Sequence, residues 1–246
     1  MSAIIGSWET NLQKHHFLDK KRRRIYNANL VSEHCYREAA PMAHGTYDDT
    51  HQKILESGMK MFLANGYERT NLRDLCADAG ITTGSFYRHF TGKEDLFSFF
   101  VQPAVDDIQK MFADAEPVCK EIVRKGDVRS LWNIAGAKEI LDYIYRNFDA
   151  LKLLLRCSDG TRYSNFLDDV VSLETDISLR ALGEAEKLGI ITHELPSRTE
   201  MHIICHAYIS SVFEAVLHDL SREEMDRYVS MIVEFFTAGS CKVLGV

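Results

Sequence analysis

The chain has 246 residues, 46% of them hydrophobic and 26% charged, with a net charge of −7. These values exclude a mainly disordered chain, and they exclude a protein that coats nucleic acid through bulk basic charge. Only four prolines and fourteen glycines punctuate the sequence, which favours long helices over many short strands.

Residues 1–46 differ from the rest. They hold seven Lys/Arg against four Asp/Glu, whereas residues 47–96 hold six against eight and the remainder sixteen against twenty-four. They include His15, His16 and a KKRRR run at 20–24, and they close on the linker-like stretch from Ala39 to Gly45. They read as a flexible basic leader, with Met42 as an alternative first residue, or as a basic arm for phosphates or a minor groove. The first apolar residues are too few for a signal peptide, and no apolar run approaches the ~20 residues of a membrane span. The six scattered cysteines form no C-x-x-C pair and read as reduced thiols. A cytoplasmic protein with no membrane partner and no cofactor is expected.

Helical periodicity starts at Tyr47. Leu55, Met59 and Phe62 stand at i, i+4, i+7, and Asn65-Gly66 supplies a helix stop. A short second helix carries Leu72, Leu75, Cys76 and Ala79, with Thr70 or Asn71 as its N-cap. Gly80 ends it and Ile81 plugs the turn. Thr82 or Thr83 caps a third helix whose Phe86 and Phe90 face the core. Gly92 breaks the chain again, and a fourth helix starts at Lys93 with Leu96, Phe97, Phe100 and Val101. Pro103 is expected to kink or end it.

A short helix, a glycine turn and a second short helix make the geometry that places a recognition helix in the major groove. The helix-turn-helix spans about Asn71 to Phe90. Its exposed positions are Thr83, Gly84, Ser85, Tyr87, Arg88 and His89. Small residues let the backbone approach DNA, and Tyr87, His89 and Lys93 have donors for phosphates. Base reading falls to Thr83, Ser85 and Arg88, with Arg88 suited either to a guanine edge or to a phosphate. Thr70 and Thr82 are caps first, with phosphate contact secondary.

Residues 54–96 resemble the N-terminal domain of the tetracycline-repressor (TetR) family. The resemblance is carried by Phe62, Gly66-Tyr67, Thr70, Ala79-Gly80-Ile81-Thr82, Gly84, Phe86-Tyr87, His89-Phe90 and Lys93-Glu94-Asp95-Leu96, in order and without gaps. Asn71 stands where the family has a second Thr, and Leu75-Cys76 where it has Ile-Ala. The resemblance implies an all-α chain. It has an N-terminal three-helix helix-turn-helix DNA-binding domain over 47–107, followed by a helical ligand-binding and dimerisation domain over 108–246. It also implies a homodimeric repressor on a near-palindromic double-stranded DNA operator, released by a small-molecule effector.

The remaining sequence is helical by pattern, over about 104–124, 129–155, 164–188, 197–219 and 222–244. Ser197-x-x-Glu200 and Ser221-x-x-Glu224 are capping boxes. The stretch from Ile203 to Leu217 is apolar on nearly every side and must be covered all round. With Met225, Tyr228, Val229, Ile232, Phe235 and Phe236 it predicts a dimer seam from the last two helices. Trp132, Tyr143, Tyr145, Phe148, Arg156, Tyr163 and Tyr208 are either pocket lining or ordinary core and surface, and the acidic balance favours a cationic or neutral effector. His202, Cys205 and His206 share one helix face at ligand spacing, but the same residues commonly fill semi-buried helix contacts, so no metal is expected. No G-x-S-x-G, phosphate loop or H-E-x-x-H occurs, so enzymatic activity is not expected. A helical protein-interaction module without specific DNA binding is the alternative reading.

Overall fold

The structure is a computed structural model. It describes residues 47–132 and 135–246, and the side chains of all of these but 132 and 135–139. The basic leader and the Trp132 side chain lie outside this set. Among the described residues the fold is helical throughout, with no strand.

Helix α1 (Tyr47–Asn65) buries Ile54, Leu55 and Phe62. It approaches the start of the fourth helix so closely that a Cβ on Gly58 would lie 2.8 Å from Leu96 Cδ2. Helix α2 (Leu72–Asp78) is capped by Asn71, whose side chain accepts from the Arg73 N–H. Ser57 and Lys60 of α1 both donate to the Asp78 carboxylate, at 2.7 and 2.6 Å, and tie the first two helices together. Gly80 turns the chain with φ +65°, a left-handed conformation in which a Cβ would be crowded. Helix α3 (Thr83–Phe86) is capped by Thr82 and is only one turn long; residues 87–89 continue as turn, shorter than the helix expected through Phe90. Phe86 and Phe90 are buried, as the pattern requires.

Of the two expectations for Pro103, a kink or an end, helix α4 (Lys93–Arg124) excludes the end. The helix does not end there, but runs 32 residues and contains Pro117 as well. Proline removes one backbone hydrogen bond and crowds the preceding turn. Here Phe100, Val101, Ala104 and Ile108 are buried on both sides of Pro103, so side-chain packing holds the helix where local propensity would break it.

A 3₁₀ segment (Val128–Trp132) follows, then α5 (Ala135–Arg146) and α6 (Phe148–Arg156), which divide at Asn147 the single segment expected there. Helix α7 (Phe166–Lys187) packs against α4 and against α8 (Arg198–Leu217), and α8 pairs with α9 (Arg222–Leu244). Both expected capping boxes form, at Ser197 and at Ser221. Two hydrophobic clusters result. The larger runs from α1 through α6 into α8 and α9, and the smaller joins the end of α4 to α7 and α8.

The loop after α6 reaches the connection between α1 and α2 and the first half of α4. The Tyr67 N–H donates to Cys157 O at 2.9 Å, and Gly160 lies against the Glu68 side chain. The Tyr163 hydroxyl and the Arg162 guanidinium reach Gln102 of α4 at 2.7 and 2.8 Å.

Candidate nucleic-acid interface

Helix α3 is held from below and open above. Phe86 and Phe90 anchor it in the core, while Thr82, Thr83, Gly84, Tyr87 and Arg88 are exposed and Ser85 is half-buried. The Thr82 hydroxyl accepts from the Ser85 N–H at 3.1 Å, so it caps as expected. Alternation of two buried phenylalanines with small, exposed polar residues gives one compact ridge.

Three residues of the expected set are placed differently. Thr70 is buried, and its hydroxyl donates inward to Gly66 O at 2.7 Å and Met61 O at 3.2 Å. It therefore closes the turn after α1, caps no helix and has no face toward solvent. Lys93 turns its ammonium onto the carbonyls of Tyr67, Glu68 and Thr70, at 2.7, 3.4 and 2.9 Å, and lies 4.1 Å from the Tyr67 ring centroid. An ammonium has three N–H donors, and here all three go to the protein. Burial lowers the Lys93 pKa from its ordinary value. His89 is half-buried. Its ring stacks on Tyr47 at 4.0 Å and lies 5.4 Å from His51, which stacks in turn on Phe90.

The Nδ1 atoms of His51 and His89 are both buried without a hydrogen-bond partner among the described residues. Burial lowers both pKa values. The neighbouring His89 lowers His51 further against a smaller opposing effect of Asp48, and Arg88 lowers His89. The two imidazoles form a stacked layer behind the exposed ridge. Tyr47 completes it, with its hydroxyl 3.4 Å from Arg88 O. Pattern reading missed Tyr47 and His51; their i, i+4 spacing on α1 was the available signal.

An open cleft of about 380 Å³ lies beside the ridge, lined by Glu68, Arg69, Thr70, Asn71, Leu72 and Lys93. It sits at the starts of α2 and α4. Helix starts present unpaired N–H groups and positive partial charge, and the exposed Arg69 adds a cation.

The residues expected around a pocket do not converge. Tyr143 and Tyr163 are core residues, the former donating to Ala104 O at 3.1 Å, and Phe148 is half-buried against the same cluster. Tyr145 and Arg156 are exposed. Tyr208 is half-buried and meets Phe236 at 5.3 Å. Cys205 is buried while His206 is exposed and pairs with Ser210, and no metal-holding cluster occurs among the described residues.

A helical domain with an exposed short helix after a glycine turn defines a helix-turn-helix protein. Residues 54–98 match the family described as bacterial regulatory proteins, tetR family. That match covers the N-terminal helices alone, and there the chain is similar to the TetR family. The transcriptional regulator LmrA of Bacillus subtilis is 32% identical over 77 residues, 31% of this chain and 41% of LmrA. The chain thus matches less than half the length of that relative. The transcriptional repressor AcnR of Corynebacterium diphtheriae is 22% identical over 192 residues, 74% of this chain and 89% of AcnR. The fold is shared with a proposed fatty acid metabolism regulator of Clostridium perfringens, at 19% identity and a TM-score of 0.52, over 76% of this chain and 97% of that one.

Proposed function

We propose that the chain is a non-enzymatic, DNA-binding transcriptional regulator, a homodimeric repressor that leaves its operator when a small molecule binds the C-terminal helices. One observation carries this reading. The exposed ridge Thr82–Arg88 consists of small and hydrogen-bonding side chains on a base fixed by Phe86 and Phe90. Thr83, Ser85 and Arg88 are assigned to base edges, with Gly84 allowing close approach, and Thr82 and Tyr87 to the phosphate side, while His89, stacked on Tyr47, supports the ridge from behind. Thr70 and Lys93 are assigned a positioning role instead, because their donors are spent on carbonyls. Arg69 and the helix starts around the cleft take the phosphate contact first expected of Lys93.

In this reading the DNA-binding unit spans 47–107 and the effector and dimer unit 108–246. The boundary falls inside α4, so one helix belongs to both. Homodimerisation through α8 and α9 is supported by exposed Ile203, Ile204, Met231 and Phe235. A two-fold dimer sets its recognition helices about 34–36 Å apart, or a multiple of that, on a near-palindromic site.

The test is a gel shift with the DNA upstream of the chain's own coding sequence, over a range of salt. Sequence-selective binding that weakens with salt is expected. Tyr87→Ala is expected to weaken all sequences alike, and Arg88→Ala to relax preference at one base position, a discrimination of about 1–3 kcal/mol. A uniform loss from Arg88→Ala reassigns it to phosphate. Binding that ignores sequence removes the regulator reading and leaves a helical protein-interaction module.

A further inference from the structure

The DNA-binding half is short of positive charge. Residues 47–96 hold six Lys/Arg against eight Asp/Glu. Two of the six are engaged inside the protein. Lys60 is paired with Asp78 at 2.6 Å, and Lys93 gives its ammonium to three carbonyls. The recognition ridge itself supplies one cation, Arg88. Duplex DNA carries one negative charge per ~1.7 Å of its axis, and cations that displace its counterions supply a large share of affinity for it.

The densest positive charge in the sequence is Lys20-Lys21-Arg22-Arg23-Arg24, in a leader of seven Lys/Arg against four Asp/Glu. Residues 1–46 lie outside the described residues, but the fold fixes where they join it. The junction is Tyr47, the first residue of α1. Its ring lies 4.0 Å from that of His89, and its hydroxyl donates to Arg88 O at 3.4 Å. The leader is therefore tied on beside the recognition ridge. Between Arg24 and Tyr47 the chain spans at most ~80 Å, at ~3.3–3.6 Å per residue, which is about two turns of duplex. A ridge seated on DNA keeps the five cations within that distance, whatever path the leader takes. The competing partner is the chain's own acidic surface. There 29 basic residues already offset 36 acidic ones, whereas every phosphate of a duplex is negative, so the duplex is the stronger attractor.

We propose that Lys20–Arg24 bind DNA phosphates flanking the site under the ridge, brought there by the tether at Tyr47. This rests on the DNA-binding reading above and deepens it by naming a source of the electrostatic affinity.

The test compares the full wild-type chain with a full chain carrying Lys20→Gln, Lys21→Gln, Arg22→Gln, Arg23→Gln and Arg24→Gln together. Circular dichroism checks that both are folded. Fluorescence anisotropy on the labelled upstream duplex gives Kd over a range of salt. Each neutralised phosphate contributes ~0.9 to the slope of log K on log salt. The variant slope is expected to be shallower by about 2–4.5, and its Kd at about 100 mM salt to rise at least about tenfold. Hydroxyl-radical footprinting is expected to show flanking protection by the wild type that the variant lacks. An unchanged slope and footprint in the folded variant overturn the proposal and leave the regulator reading standing. Tighter binding by the variant assigns the five cations to the protein's own acidic surface and also overturns it. Wild-type binding that ignores sequence removes the regulator reading, while the slope still judges the leader. Absence of any DNA binding removes both.

Discussion

His51 and His89 are the pair on which the recognition ridge rests, and they are fitted as neutral rings. Their pKa values lie below the ordinary 6.5 because burial penalises the imidazolium and because each has a like charge or a second imidazole beside it. In the unfolded chain they titrate near the ordinary value. Their contribution to stability is therefore complete above about pH 6.5 and is lost as pH falls through the lower folded values. DNA affinity is expected to decline from pH 7.5 to 5.5, with the decline reduced in His51→Phe, whose ring keeps the stack on Phe90. Fluorescence anisotropy on labelled operator measures this, and an identical slope in wild type and His51→Phe counts against it. Lys93 gives a second residue-scale expectation. Lys93→Met keeps the aliphatic stem over Tyr67 but leaves three carbonyls unbridged. Stability is expected to fall by about 1.5–3 kcal/mol, the scale of a hydrogen bond to a charged group, readable by urea denaturation. A lysine that served DNA alone would leave the denaturation midpoint where it was.

Helices α1 and α4 approach closely at Gly58, which leaves no room for a side chain there. Gly58→Val inserts two methyl groups and a Cβ where Leu96 and Phe100 already stand at 2.8 and 3.3 Å from the added atom. Overpacking of this kind costs about 1–3 kcal/mol, and a lowered melting temperature with weakened DNA binding is expected. At this scale the sequence was legible wherever the signal is local. The caps at Asn71, Thr82, Ser197 and Ser221 depend on side chains within three residues, and the inward-facing Phe86 and Phe90 on helical spacing. Exposure of Thr83, Gly84, Tyr87 and Arg88 followed from the same spacing. What escaped was set by tertiary partners. Pro103 reads as a kink or a helix end, and the end is excluded only by the packing of Phe100 and Ala104 around it, which propensity does not count. Lys93 reads as a phosphate ligand because its acceptors lie 23 to 26 residues earlier. Thr70 reads as a cap with a secondary phosphate contact until Met61 and Gly66 are brought over its hydroxyl.

For the whole molecule, the proposed function makes affinity for DNA depend on two copies, since each ridge is one helical turn with few donors on an acidic chain. Ile203 and Phe235 are 62% and 71% exposed, apolar surface that a partner of the same kind would cover. Phe235→Asp is expected to shift the chain to a monomer in sedimentation velocity and to lower operator affinity at least about tenfold, through loss of the second half-site. A dimer that persists in Phe235→Asp and Ile203→Asp together would move the seam elsewhere. The two halves are joined by α4 itself, by packing of α1 against α6 and by the loop from Cys157 to Phe166 that reaches Tyr67, Glu68 and Gln102.

That loop makes one amide informative. The Tyr67 N–H sits at the edge of the DNA-binding half but is bonded to Cys157 O, a carbonyl of the other half. Its exchange with deuterated solvent is slowed only while the two halves stay seated on each other. A single peak in an exchange spectrum therefore reports the separation of the halves directly, without DNA, label or ligand attached. Any small molecule that loosens the seat would quicken that exchange while the neighbouring Gly66 amide, bonded within its own helix end to Phe62 O, kept its rate.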